Sequence, residues 1–414
     1  MEFDLSTNMS CGNKSVWIIN EYAGSPYHGM EVRHYYLAKA LIKLGYEVSI
    51  ISASYSHLLR NLPKVKGKFT REDIDGINYL WIKVNRYGKA HSKRRVLKWF
   101  NFSYSLIGLP IDSLPRPDTI IFSIPEPFPV FSAYRLAKRY QAKFVYEIRD
   151  IWPLTLVELG GYSHKHPLIV LMRWCELFAL KKADHIVSVL PNYGQYLRDN
   201  GIDRKFIYIP NGIDPCESNA ADEFNGDIKR MIPENKFVVG YAGTIGTLDT
   251  LDVLIEAAHR LREDKDVVFA IVGDGQEKLH LMQMSKDIDL QNLVFLPSVP
   301  KRQVQSVLKL FSACYIGYKK QELYKYGVSP NKVFEYMYSG KPIIHAINAK
   351  DDIVGMAQCG ISVEPENPKA IADAIIRLKN MDYNEREEMG KRGKEYVLAN
   401  HNYMVLAEKY IEIL

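Results

Sequence analysis

Residues 236–261 read KFVVGYAGTIGTLDTLDVLIEAAHRL, and this stretch decides how we expect the chain to fold. It begins with an apolar run at 236–242, which predicts a buried strand. Gly243 and Gly246 follow, and residues 251–261 then place apolar side chains at helical spacing. A strand, a glycine-containing loop and an amphipathic helix in this order predict one repeat of a parallel α/β sheet.

The same alternation of strand and helix runs from end to end. Strands are predicted at 16–20, 47–53, 79–84, 119–124, 143–148 and 185–190 in the first half, and at 236–242, 267–272, 293–296, 313–317 and 342–345 in the second. Amphipathic helices lie between them, for example at 30–44 and 368–378. Because 414 residues exceed what one core serves, we expect two Rossmann-like, doubly wound parallel-sheet domains.

A polar, turn-rich seam between about residues 197 and 236 divides the chain. It contains the turn dipeptides Asn211-Gly212 and Asp214-Pro215. The expected organisation is a flexible N-terminus at 1–14, a first domain at 15–205, a second domain at 206–398, and a final helix at 399–414 that packs on either domain.

Composition indicates a globular protein, with 47% hydrophobic and 25% charged residues. No apolar run approaches the 18 residues or so of a membrane span, and no secretory leader pattern opens the chain. The five cysteines are scattered and form no C-x-x-C pair. We therefore expect a reduced, cytoplasmic setting without a structural zinc site.

One segment concentrates positive charge beside aromatic rings. Residues 89–98 read KAHSKRRVLK, without an acid, and four aromatic residues follow by position 104. This composition suits an anionic membrane surface or a phosphate-bearing lipid acceptor. The alternative is a solvated helix face with core aromatics behind it. The residues predicted to meet the membrane or acceptor are Lys93, Arg94, Arg95, Lys98 and Trp99.

Two loops have the composition of phosphate-binding turns. Residues 22–29, which end at Gly29, follow the first predicted strand, and residues 241–247 follow the first strand of the second half. Glycines allow close approach of backbone to a ligand, and the next helix presents amide groups to an anion. Either loop could equally be a tight turn without a ligand.

The segment 329–342 predicts a complete short helix. Ser329 is suited to cap its start, Pro330 to its first turn, and Gly340 to its end. Lys332 lies in the first turn, where a cation opposes the helix dipole unless an anion binds there. Glu335 lies one turn further on and could bind the hydroxyls of a ribose. The alternative is an exposed Lys332–Glu335 pair on the helix surface.

Seven segments in order carry a family resemblance. They are H-G-M-E-V-R-H-Y-Y-L-A-K-A-L-I-K-L-G-Y-E-V (28–48), Y-E-I-R-D-I-W-P (146–153), A-D-H-I-V-S-V (183–189), I-P-N-G-I-D (209–214), Y-A-G-T-I-G (241–246), I-V-G-D-G (271–275) and S-P-N-K-V-F-E-Y-M-Y-S-G-K-P (329–342). The chain resembles glycosyltransferases of the GT-B fold, family 4, over nearly its whole length. The R-D-I-W-P block resembles the subgroup that builds bacterial surface polysaccharides, similar to N-acetyl-fucosamine-type transferases.

The resemblance implies two domains facing across a cleft, a final helix at 399–414 that crosses back onto the first domain, and a role for each matching residue. Glu335 would hold the donor ribose, and Lys332 would stabilise the leaving diphosphate. Arg149 and Asp150 would face the sugar and acceptor as further catalytic residues; Asp150 could instead support Arg149 or cap the segment after Trp152. The remaining nucleotide-sugar positions would be Gly29, Gly243, Thr244, Val299, Ser329, Pro330 and Asn331.

The sequence departs from the family pattern at two places. Gly327 replaces a glutamate that usually binds donor-sugar hydroxyls, which puts an ordinary hexose donor in doubt. The usual Arg and Lys after the first strand of the second domain are Thr244 and Asp249. Another residue must then balance the charge of the phosphates, and Lys332 is the first candidate. Arg149 and Arg33 are the next candidates.

The expected function is transfer of an N-acetylated or deoxy-amino sugar from a nucleotide-diphosphate donor, with retention of the anomeric configuration. UDP is the first candidate for the nucleotide of the donor. The expected acceptor is a lipid-pyrophosphate-linked saccharide for O-antigen, capsule, lipopolysaccharide or exopolysaccharide, at the inner face of the cell membrane. No metal, other cofactor or nucleic acid is expected. The alternatives are a GT-B nucleotide-sugar 2-epimerase, a sugar phosphorylase or trehalose-type synthase, and a non-catalytic scaffold subunit.

Overall fold

The structure is a computed structural model that describes residues 14–29, 32–88, 93–110, 114–219, 226–349 and 351–414. Apart from Lys14, the predicted flexible segment 1–14 lies outside these ranges. The chain forms two compact units. The first contains residues up to 189 together with 204–209 and 407–414, and the second contains 190–203 and 210–406.

The first unit is a doubly wound α/β sheet. Its strands are β1 (Ser15–Ile19), β2 (Glu47–Ala53), β3 (Phe69–Ile74), β4 (Ile77–Ile82), β5 (Thr119–Ser123), β6 (Lys143–Ile148), β7 (His185–Ser188) and β8 (Ile207–Tyr208), and its helices are α1 (Arg33–Lys43), α2 (Lys93–Ser105), α3 (Val130–Tyr140), α4 (Leu154–Glu158) and α5 (Pro167–Lys182). Within the described residues the strand order is β3-β4-β2-β1-β5-β6-β7-β8. All pairs are parallel except β3–β4, which Asp75 and Gly76 join as a tight hairpin with positive φ at both residues.

The second unit is a smaller sheet of the same class. Its elements are α6 (Tyr193–Asp199), α7 (Pro215–Asn219), α8 (Gly226–Met231), β9 (Phe237–Ala242), α9 (Leu251–Arg260), β10 (Val267–Val272), α10 (Lys278–Asp287), β11 (Leu293–Leu296), α11 (Val304–Leu308), β12 (Ala313–Gly317), α12 (Asn331–Ser339), β13 (Ile343–Ala346), α13 (Ile353–Met356), β14 (Gly360–Val363), α14 (Pro368–Asn380), α15 (Tyr383–Asn400) and the start of α16 (Tyr403–Ile411). The described strands are all parallel, in the order β11-β10-β9-β12-β13-β14.

Two apolar layers enclose this second sheet. One layer joins α9 and α14 to it through residues such as Leu254 and Ile375, and the other joins α12 and α15 through residues such as Met337 and Val397. Because the strands are parallel, the loops after β9, β10, β11 and β12 lie at one edge of the sheet, which is where open α/β sheets bind ligands.

The predicted fold class is confirmed, and all eleven predicted strands are present within two residues of their expected bounds. The start of α12 differs from the prediction. The helix begins at Asn331, and Pro330 rather than Ser329 flanks it without a side-chain cap. Gly340 ends it in the left-handed conformation with φ of 73°, as predicted.

The last residues of the chain belong to the first unit. The Tyr410 hydroxyl donates to Glu147 Oε1 at 2.5 Å, and Lys143 Nζ donates to the Leu414 carbonyl at 2.9 Å. Both contacts are therefore made to β6, the strand that leads to the predicted Arg149-Asp150 pair.

Candidate functional site

Lys332 is the centre of the polar cluster at the carboxyl edge of the second sheet. Its ammonium group donates to the Tyr241 hydroxyl at 2.6 Å and forms an ion pair with Asp249. The Lys332 and Asp249 side chains are 25% and 20% exposed, so solvent and a ligand can reach both. The first turn of α12 thus presents a held cation to the loop after β9.

The loop after β9 is built around this lysine. A Cβ on Gly243 would lie 2.9 Å from Lys332 Cδ, so the glycine lets this side chain lie against the loop without a shift. The Tyr241 hydroxyl donates to the Thr244 carbonyl, and the Gly246 amide donates to Asp249 Oδ2 at 3.2 Å. Burial is the main cause that raises the pKa of the Tyr241 hydroxyl, and the nearby Asp249 carboxylate is the second. This hydroxyl therefore keeps its proton.

Ser329 has a different task from the predicted cap. The Asn211 amide donates to Ser329 Oγ at 3.1 Å, and Asn211 Nδ2 donates to the Ser329 carbonyl at 2.6 Å. Asn211 belongs to the I-P-N-G-I-D motif, so this motif positions the chain as it enters α12. The predicted ligand-binding roles of Ser329, Pro330 and Asn331 stay predictions.

Glu335 lies one turn beyond Lys332 but does not pair with it. Its carboxylate pairs with Lys301, and its backbone carbonyl accepts from Gln305 Nε2 at 3.1 Å. The surface pair Lys332–Glu335 is therefore excluded in this structure. Lys301 follows the loop that contains the half-buried Val299, the residue predicted to lie beside the base. Sequence reasoning did not include Lys301, and it named Asp249 only as a departure from the family pattern, because neither residue is close in sequence to its partner.

Gly327 has no room for a side chain. Its φ is +93°, and a Cβ there would lie 2.5 Å from Pro191 Cδ. The glutamate expected from the family pattern could not occupy this position without a shift of Pro191. The departure noted in the sequence is thus built into the packing of the second unit.

In the first unit, Gly29 is constrained by its own chain. Its amide donates to the Ser25 carbonyl at 2.9 Å, and it forms a β-bridge with Leu59. A Cβ on Gly29 would lie 2.5 Å from the Leu58 carbonyl oxygen, so a close backbone approach already requires the glycine. Its predicted place near the donor phosphates stays a prediction.

The Asp150 carboxylate stabilises the turn after β6. It accepts hydrogen bonds from the Ile151 amide (2.9 Å), Trp152 Nε1 (3.1 Å) and Thr155 Oγ1 (2.7 Å). These contacts favour the capping alternative. Asp150 and Arg149 are both half-buried, so their proposed role toward an acceptor stays open to test.

Arg33, named as a further phosphate-binding candidate, is buried. It is 3% exposed, and its guanidinium donates to Glu147 at 2.8 Å and to the Ile209 carbonyl at 3.0 Å. Burial alone would raise the pKa of Glu147, but Arg33 and then His34 hold that pKa well below its usual range. Arg33 therefore neutralises a buried carboxylate and is not available to a diphosphate.

Two of the five residues predicted to meet a membrane or acceptor lie inside the protein. Lys98 is 0% exposed and pairs with Glu21 at 2.9 Å, and Trp99 is 4% exposed. Arg94, one turn nearer the start of α2, is exposed. Arg95 is half-buried and donates to Tyr22 at 3.1 Å; the Lys93 side chain lies outside the described residues.

The buried Lys98 lies near the carboxyl groups of Glu21 and Glu126. Glu21 and Glu126 follow the neighbouring strands β1 and β5 and are each 2% exposed. Burial, and then Glu21, raises the pKa of Glu126 well above its usual range. Lys98 also lies 4.2 Å from the centre of the Tyr22 ring.

Comparison with protein families assigns both halves of the chain. Residues 27–217 match the family model described as Glycosyltransferase Family 4, and residues 225–396 match the model described as Glycosyl transferases group 1. The two matches together cover most of the chain, including every strand of the second sheet and all of the first sheet except β1.

Relatives agree with this assignment. WcaI of Escherichia coli (strain K12), a glycosyl transferase named for colanic acid biosynthesis, is 26% identical over 270 residues; the match covers 63% of this chain and 66% of WcaI, just under two thirds of its length. Sucrose-phosphate synthase from Thermosynechococcus elongatus has a TM-score of 0.72 at 15% identity, over 97% of this chain and 98% of that one. Anabaena HepE in complex with UDP and glucose has a TM-score of 0.64 at 13% identity, over 96% and 98%.

The two doubly wound units and the likeness to solved glycosyltransferase structures define a GT-B fold. The chain belongs to glycosyltransferase family 4. Within the described residues, no helix combines the length and the apolar character needed to cross a bilayer.

Proposed function

We propose that the protein transfers a sugar from a nucleoside-diphosphate donor, with UDP as the carrier, to a lipid-linked saccharide during synthesis of a bacterial surface polysaccharide. The observation that carries the proposal is the Lys332 cluster at the first turn of α12. A lysine held beside a glycine loop, with Glu335 one turn further on, matches the charge and hydroxyl pattern of a nucleoside diphosphate.

The diphosphate is the part of the donor that needs most support. When the bond between the sugar C1 and the phosphate oxygen breaks, negative charge develops on the leaving group. Lys332 and the amides at the start of α12 stabilise that charge, and each well-placed donor contributes about 2–4 kcal/mol. The proposal needs no divalent metal for this step.

The acceptor oxygen then forms the new bond to C1 on the same face, so the anomeric configuration is retained. The acceptor proton passes to the leaving phosphate oxygen, which acts as the base. Asp150 would contribute by orienting the turn that carries Arg149, since its own oxygens already accept three hydrogen bonds.

The class of sugar and acceptor rests on two supports. Gly327 leaves no side chain where family 4 enzymes commonly bind sugar hydroxyls, which favours an N-acetylated or deoxy-amino sugar. WcaI, by its name, serves colanic acid biosynthesis, and colanic acid is a surface polysaccharide. We therefore propose O-antigen, capsule or exopolysaccharide synthesis at the cytoplasmic face of the cell membrane.

The test is a panel of UDP-sugars incubated with a lipid-pyrophosphate-linked saccharide, followed by mass spectrometry of the lipid product. We expect the acceptor mass to rise by one sugar residue and UDP to be released, with both signals lost in Lys332→Ala. An epimerised donor formed without acceptor would instead indicate an epimerase. Donor binding without turnover across the panel would indicate a scaffold subunit, and either result would overturn the proposal.

A further inference from the structure

Helix α2 leaves a stripe of large apolar side chains in solvent. Leu97 is 61% exposed, Phe100 43% and Tyr104 70%, and Ile107 in the following 3-10 turn is 48% exposed. Their spacing of three, four and three residues keeps them on one side of the helix. Isolated exposed apolar residues are ordinary, but a continuous stripe of this kind marks an interaction surface.

Helix α5 presents a second stripe. Val170 is 54% exposed, Leu171 37%, Trp174 57% and Leu177 40%. These positions again fall on one side of the helix, while Ile169, Met172 and Cys175 are buried against the first unit. The sequence of α5 gives little warning of this, because apolar residues surround the whole helix.

The two stripes meet at the start of α3, which packs between α2 and α5. Phe100 contacts Phe128 with ring centres 4.7 Å apart, and Trp174 contacts Phe131 at 4.9 Å. Phe128 and Phe131 are three positions apart, so the aromatic rings form a band from one helix to the other. The combined surface is named here the α2/α5 face.

Positive charge accompanies the α2/α5 face. Among the described side chains of α2, α3 and α5, the one acid is Glu176, which is 2% exposed and accepts from Arg173 at 2.6 Å. The exposed basic residues on these helices are Arg94, Arg135, Lys138, Arg139, Lys181 and Lys182. An apolar band beside cations without an exposed carboxylate has the composition of a surface that lies in the headgroup region of an anionic bilayer.

We propose that the α2/α5 face docks the first unit onto anionic phospholipid, with Leu97, Tyr104, Val170 and Leu177 inserted among the acyl chains. This deepens the proposed function, since a lipid-linked acceptor is presented at the same bilayer surface, and it replaces the buried Lys98 and Trp99 as the contact residues. A second copy of the chain fits the face less well, because a two-fold contact would bring like charges together.

The test is co-flotation of the full-length protein with phosphatidylcholine vesicles, with and without phosphatidylglycerol. We expect binding to the anionic vesicles that weakens with salt, and a loss of about fivefold or more in the bound fraction for L97Q/Y104Q and for V170Q/L177Q. The matched control is L279Q/M356Q, which removes two exposed apolar residues from the second unit, at 80% and 61% exposure, and should bind like the wild type.

Unchanged binding of both double variants, or equal loss in the control, would overturn the proposal. So would a dimer by analytical ultracentrifugation that dissociates in L97Q/Y104Q, because the face would then join two copies of the chain. UDP binding by calorimetry separates this result from the proposed function. It should be the same in all variants, and failure of UDP to bind the wild type would count against the donor site alone.

Discussion

The Lys332 ammonium group and the Asp249 carboxylate form an ion pair across the loop that follows β9. The family pattern places a lysine at position 249, so under the proposed function the Asp249 carboxylate occupies space that the donor diphosphate needs. Under the proposed function, the lysine exchanges this partner for phosphate when a donor binds.

Lys332→Ala should lower kcat by roughly 30- to 1000-fold, corresponding to the loss of about 2–4 kcal/mol of stabilisation of the leaving diphosphate. Initial rates of UDP release measure this directly. Lys320→Ala is the matched control, because Lys320 is an exposed lysine of the same unit that pairs with Glu364. Comparable loss in both variants would deny Lys332 a specific role.

Asp249→Asn should tighten UDP binding by about 3- to 10-fold, because it removes a competing carboxylate worth about 1 kcal/mol while it keeps a hydrogen-bonding side chain. Isothermal calorimetry at low and high salt measures the change, which should shrink as salt screens the charge. Weaker binding would mean that Asp249 chiefly positions Lys332.

Glu335→Ala should raise the donor KM at least tenfold, roughly 1.4 kcal/mol or more, because a carboxylate that accepts from ribose hydroxyls is lost. Calorimetry with UDP and with an analogue lacking the ribose hydroxyls isolates the contact. The wild type should discriminate between them and the variant should not. Lys301→Met is the companion variant, since it frees Glu335 from its present partner. Equal discrimination by wild type and Glu335→Ala would refute the ribose contact.

Gly327→Ala should destabilise the second unit by about 1–3 kcal/mol, because the positive φ and the contact with Pro191 both oppose a Cβ. Gly76→Ala is the control that separates the two causes. Its φ is +82°, but nothing lies within 4 Å of the added carbon. Thermal unfolding of both variants should show the larger loss for Gly327→Ala, and equal losses would remove the argument from Pro191.

Glu126→Gln should change how stability depends on pH. The folded-state pKa of Glu126 is raised, so its contribution to the free energy of unfolding is complete below the unfolded pKa of about 4.3 and is lost as pH rises toward the folded pKa. Glutamine stays neutral, so the variant should gain on the wild type between pH 5 and pH 8 in urea unfolding. Glu158→Gln, an exposed carboxylate, is the control and should track the wild type.

Sequence patterns predicted the framework because strand and helix periods are local. They missed β3, whose side chains alternate between partial and full exposure, and the short strands β8 and β14, where few apolar residues mark the run. The partition of α2 was also missed: composition alone joined Lys98 to Arg94, although Lys98 is buried and Arg94, one helical turn earlier, is exposed.

The site was predicted in part for a similar reason. Lys332, Gly243 and Glu335 follow from helix and loop signals. Asp249 and Lys301 reach their partners only through the order of the strands in the sheet. Asp249, for example, lies 83 residues before Lys332 in the sequence. One signal in the sequence could have indicated the ion pair between Lys332 and Asp249. It is the carboxylate of Asp249 in a loop where the family pattern has a cation.

The two hydrogen bonds between Asn211 and Ser329 set a boundary for protein engineering. Suppose that residues 329–340 are replaced by those of a relative in order to change the donor preference. Asn211 would then lose the Ser329 acceptors in their present positions. The unit that can be exchanged between relatives therefore consists of two separate segments. A chimera should take residues 209–213 and the α12 segment from the same parent, so that both hydrogen-bonding partners are kept.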